Sequence, residues 1–75
     1  MSRTQTGRQL GANRVRAHRL ARELTQAQLA AQVGVSRQTV NALEAGDYAP
    51  SVFLALRIGR ALAAPVEDLF ELEEE

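Results

Sequence analysis

The chain lacks cysteine, tryptophan and lysine, and has a single histidine, one tyrosine and two phenylalanines among 75 residues. Without cysteine there is no disulfide stapling and no cysteine-rich zinc site, which fits a reducing cytoplasm. One histidine with no cysteine to join it makes no metal-ligand cluster, and no nucleophile–base pair is present. The reading is therefore not an enzyme, with no metal, no cofactor and no evident small-molecule ligand. No apolar run approaches the ~20 residues of a membrane span, and no signal-peptide pattern opens the chain. These absences predict a cytoplasmic protein with no membrane partner. At this length, and with no internal repeat, one small domain with a thin core is expected.

The net charge of zero hides a segregation. Residues 1–22 hold six arginines and no acid, whereas residues 67–75 hold six acids and no base. A basic end suits phosphate or an acidic partner, and an acidic end repels both. The terminal ELEEE is then either a solubilising tail or a partner for the arginine-bearing N-terminal arm, holding acid away from any bound polyanion.

Residues 1–12 are polar and carry two glycines with little periodicity, which predicts a flexible arm. Asn13 is placed to cap a first helix over residues 14–23. Thr25, with Gln28 three positions on, has the form of a capping box for a second helix, Gln26–Val33, which Gly34 can end in a left-handed conformation. Ser36 caps a third helix running to Ala45, closed by Gly46. Ser51 caps a fourth through Ala63, and Pro65 suits the start of a fifth, with Glu67 and Asp68 near its positive end. Beyond Leu69, the period-two pattern Phe70-Glu71-Leu72-Glu73 suits a short strand. The expectation is an all-α domain of five helices over residues 13–70, followed by an acidic tail or short strand over residues 71–75.

Only Gly34-Val35-Ser36 separates the second and third helices, so the pair must cross steeply and in contact, as in a helix-turn-helix. The small Ala30 allows close approach, and Val35, Val40 and Leu43 supply the apolar seal. With about 100° per residue and Val40 at 0°, the core direction lies near 330°. Gln38, Asn41, Ala42 and Ala45 then gather on the opposite side, with Arg37 flanking. Gln and Asn can pair with adenine, Arg with guanine, and an alanine methyl can meet that of thymine. By the same count Glu44 lies only about 40° from Val40, so its carboxylate leans toward the core.

The run LTQAQLAAQVGVSRQTVNALEAGDYAPS, followed by LRIGRALAAPVEDLF, resembles the Cro/repressor-type (XRE) helix-turn-helix family of transcription regulators. It is most similar to the short, cytolysin-repressor-like members. Gln26, Leu29, Ala30, Gly34, Val35, Val40, Leu43 and Glu44 all fall on the family pattern. The resemblance implies a lambda-repressor-like fold and a homodimer reading a palindromic operator on double-stranded DNA, as a repressor. It places Arg37, Gln38, Asn41 and Ala42 at base-facing positions and Gln26 at a phosphate. Ser36 and Thr39 are hydroxyl-bearing phosphate candidates beside them, and Tyr48 is either a further hydroxyl contact or a residue packed against the fourth helix. It pairs Arg19 with Glu44 as a structural ion pair. Val66, Leu69, Phe70 and Leu72 are the expected dimer interface.

Two positions depart from the pattern. Asp47 stands where a basic residue often faces phosphate, and His18 stands where leucine is usual; a lone histidine there reads as a partly buried helix residue. The competing function is an antitoxin or protein-binding module of the same fold, for which Phe53 and the Phe70/Leu72 pair are the candidate surface.

Overall fold

Short polar side chains set where the helices begin. In the computed structural model, which describes residues 13–72, the chain forms five helices: α1 (Val15–Ala21), α2 (Gln26–Val33), α3 (Arg37–Glu44), α4 (Val52–Leu62) and α5 (Val66–Leu69). Thr25 accepts from the Gln28 amide at 3.0 Å while the Gln28 side chain accepts from the Thr25 amide at 2.8 Å, so the capping box forms in both directions. Ser36 and Ser51 accept from the amides of Thr39 and Leu54, each at 3.0 Å, and so start α3 and α4.

The first helix is shorter than its sequence suggested. Arg14 takes the N-cap position, yet Asn13 still accepts from the Val15 amide at 3.1 Å, so its capping role survives one residue upstream. The helix ends at Ala21, because Glu23 adopts a left-handed φ of 59° and the Leu24 amide turns back to the Arg19 carbonyl. The third and fourth helices likewise stop one residue early, at Glu44 and Leu62. Gly46, at φ 85°, lets the Asp47 amide reach back to the Ala42 carbonyl at 2.9 Å, which closes α3. Ala63 performs the same reversal after α4 at φ 55°, without glycine's freedom.

The core is made by Val15 of α1, Leu29 and Val33 of α2, Val40 and Leu43 of α3, Leu54, Ile58 and Leu62 of α4, and Leu69 of α5. The second helix is central, packing on both α3 and α4, while α5 folds back on α4. Gly59 makes that last contact possible, since a Cβ there would sit 2.8 Å from the Ala64 carbonyl oxygen.

The expected C-terminal strand is absent among the described residues. Phe70 is extended (φ −130°, ψ 145°), but a single extended segment has no edge to pair with. Arg14 takes up the C-terminal end of α5 instead. Its backbone amide donates to the Leu69 carbonyl at 2.8 Å, its Nε to the Asp68 carbonyl at 2.7 Å, and its Nη1 to the Glu71 carboxylate at 2.7 Å. The basic start of the domain therefore holds the first acid of the ELEEE segment. The N-terminal arm over residues 1–12, and residues 73–75 of the tail, lie outside the described residues.

Candidate nucleic-acid interface

On α3 the burial pattern follows the angular count. Val40 and Leu43 are buried, 3% and 2% exposed, while Arg37, Gln38 and Asn41 are exposed and Thr39 and Ala42 are half-buried. An eight-residue helix with that many uncovered polar side chains owes its position to the two apolar ones and to α2 behind it. Gly34, at φ 81°, makes the turn that delivers α3 across α2.

The side of α3 facing α2 carries a linked polar set. Arg19 Nε donates to Glu44 Oε2 at 2.6 Å and its Nη2 to Oε1 at 3.1 Å, while Nη1 donates to the Leu24 carbonyl at 2.8 Å. The two side chains are only 7% and 4% exposed. The hydrogen bond with Glu44 is the main cause holding the Arg19 pKa above its ordinary value, against the opposing effect of burial. Gln26 Nε2 then donates both to Glu44 Oε1 at 3.1 Å and to Asn41 Oδ1 at 3.2 Å. A continuous chain of hydrogen bonds thus runs from α1 through the last turn of α3 and the first residue of α2 to Asn41.

Asn13 adds a second tie to the same helix, its Nδ2 donating to the Leu43 carbonyl at 2.8 Å. Sequence reasoning missed this bond, the Arg14 clamp on α5 and the Gln26–Asn41 link. The third had a signal: Asn41 and Glu44 are three apart on one helix, so they share the flank that faces Gln26.

The hydroxyl-bearing candidates fall into two groups. Ser36 and Thr39 sit together at the start of α3, their hydroxyl oxygens 2.9 Å apart. One hydrogen bond between two hydroxyls leaves one of their hydrogens over, available to an acceptor in solvent. Tyr48 instead lines a shallow hollow with Pro50, Val52, Val66 and Phe70, so its ring belongs to the side of the domain made by α4 and α5. Asp47 is exposed in the loop after α3 and His18 is half-buried on α1.

Of the four expected interface residues, Leu69 is 0% exposed and belongs to the core, since its side chain is enclosed within the single chain. Val66 and Phe70 are half-buried and Leu72 is 83% exposed. The exposed apolar surface extends elsewhere, to Phe53 (73%) and Leu56 (54%) on the outer side of α4. No helix among the described residues is long and apolar enough to cross a membrane, and no group of metal-binding side chains gathers among them.

The profile of the helix-turn-helix family matches residues 15–69, which is the whole helical body from α1 to α5. The chain belongs to this family. Within it, the XRE or Cro type is the one whose pattern the turn and its flanking helices carry. An HTH-type transcriptional regulator from Methanothermobacter thermautotrophicus is 53% identical over 62 residues, spanning 81% of this chain and 90% of that one. The HTH-type transcriptional regulator YgzD of Bacillus subtilis is 49% identical over 63 residues, spanning 84% and 96%. Among solved structures, the restriction-modification controller protein C.AhdI from Aeromonas hydrophila superposes with a TM-score of 0.71 at 31% identity, covering 85% of this chain and 89% of that one. This helix-turn-helix domain is a member of a family of transcription regulators, and not an enzyme.

Proposed function

We propose that this chain is a sequence-specific regulator of transcription, in practice a repressor, that inserts α3 into the major groove of double-stranded DNA. The observation that carries the reading is the outer face of α3, where Arg37, Gln38 and Asn41 are exposed while α2 and α1 hold the helix from behind. An α-helix fits the major groove, and these three side chains are of the kinds that pair with base edges there. Ala42 offers a methyl contact. On this reading phosphate is met by the Ser36–Thr39 pair and by the amides of Gln26 and Ala27, which have no carbonyl a turn earlier to bond, the Gln28 amide being held by Thr25.

One short helix reads only a few base pairs, so useful discrimination calls for two half-sites about one turn, ~34–36 Å, apart on a palindrome. The reading is a homodimer joined through Phe53, Leu56, Phe70 and Leu72, with Val66 alongside and Leu69 supporting from the core. With DNA as its partner, the reading is of a cytoplasmic protein. A selection of bound sequences from a random DNA pool, repeated at two salt concentrations, tests this. A palindromic consensus and a steep fall of affinity with salt are expected.

The alternative of an antitoxin or protein-binding module draws on the same exposed Phe53 and Leu56. It predicts a bound protein instead of an enriched DNA sequence, with little dependence of affinity on salt.

A further inference from the structure

We infer that Glu44, acting through Gln26, fixes which end of the Asn41 amide is offered to DNA, so that Asn41 reads base edges as a hydrogen-bond donor. This rests on the proposed docking of α3 in the major groove. Glu44 is held at both oxygens by Arg19 and has no hydrogen to give, so it can only accept. The group of Gln26 that lies 3.1 Å from Glu44 Oε1 is therefore its NH2. The second hydrogen of that NH2 points to Asn41, 3.2 Å away, and must meet an acceptor there. Asn41 Oδ1 is that acceptor. The flipped arrangement would set one NH2 against another.

An unrestrained asparagine can turn either end of its amide outward. Here the oxygen is turned toward Gln26 and the Nδ2 group is left for the exposed side of α3. In the major groove the matching acceptors are purine N7, guanine O6 and thymine O4, whereas the amino groups of cytosine and adenine are donors. Arg19, Glu44 and Gln26 are thus positioning residues for a contact made by Asn41. Gln26 has also committed both of its side-chain hydrogens, so a phosphate near α2 meets backbone amides and not this side chain.

The test compares the full chain with Gln26→Met, Asn41→Ala and the double variant, using the best selected DNA site and its single-base changes at two salt concentrations. Gln26→Met keeps the side-chain length and leaves the Arg19–Glu44 pair in place. Asn41→Ala should reduce the preference at one base pair from about tenfold to about threefold or less. Gln26→Met should reduce it at that same base pair, with the salt slope unchanged, and the double variant should be no worse there than Asn41→Ala. Uniform weakening of every sequence by Gln26→Met, with the slope lowered by about one, would overturn the inference and make Gln26 a phosphate contact. If the unaltered chain binds no DNA, the DNA reading itself has failed. The amide geometry is decided separately in the free protein: the Gln26 side-chain NH2 should exchange with solvent more slowly than that of Asn41, and equal exchange contradicts the link.

Discussion

Arg19 and Glu44 meet in a two-point fork between α1 and α3, with nitrogen–oxygen separations of 2.6 and 3.1 Å. The fork ties α3 to α1 beside the two side chains, Val40 and Leu43, that α3 buries in the core. It locks α3 against α1.

At 7% and 4% side-chain exposure the pair is a buried one, so removing one partner strands a charge. Arg19→Met is expected to cost about 3–5 kcal/mol in a denaturant melt, a large share of the stability of so small a domain. The double variant Arg19→Met, Glu44→Leu should recover most of that stability, because apolar residues of similar size need no charge partner. It should nonetheless bind DNA less selectively, since Gln26 loses its acceptor. A loss below about 1 kcal/mol for Arg19→Met would mean that the pair behaves as an exposed one.

The end of α4 offers two opposite outcomes from glycine–alanine exchanges. Ala63 holds a left-handed φ of 55°, which costs an L-residue roughly 1–2 kcal/mol. Ala63→Gly should therefore raise stability by about 1 kcal/mol. Gly59→Ala should lower it by about 1–3 kcal/mol, because the new Cβ meets the Ala64 carbonyl oxygen at 2.8 Å. Thermal melts of both variants, read against the unaltered chain, check the pair of signs.

Local signals made most of the fold legible. Thr25 with Gln28, Ser36 and Ser51 announce helix starts through their own side-chain bonds, and α2 spans the residues its cap and Gly34 delimit. The angular count on α3 separated Val40 and Leu43 from Arg37, Gln38 and Asn41 for the same reason, since helix periodicity is a local property. What sequence did not yield is long-range. The Arg14 bonds to Asp68 and Glu71 join residues 54 and 57 apart, and no spacing rule connects them. The alternation at Phe70–Glu73 suited a strand, but a strand also needs a partner edge, which a local pattern cannot supply. In sequence Leu69 groups with Val66, Phe70 and Leu72 in the expected dimer interface, and the fold-back of α5 on α4 puts it in the core.

The proposed dimer separates residues that look alike in sequence. Phe53→Glu and Leu72→Glu should each give folded monomers by sedimentation, with weakened binding to a palindromic site. Leu69→Glu should unfold the domain instead, because that side chain is 0% exposed within one chain. A dimer that survives both Phe53→Glu and Leu72→Glu would move the interface away from this surface.

The central claim is that the outer face of α3 reads DNA sequence, and Gln38 is its most direct probe because it lies nearly opposite the core. The decisive measurement is the affinity of the unaltered chain and of Gln38→Ala for the best selected site and for random DNA, across a salt series. The account predicts a loss of ~1–3 kcal/mol at the selected site, a relaxed preference at one base pair, and an unchanged salt slope. Equal binding of both chains to every DNA tested would contradict it, and α3 would then not be a reader of DNA.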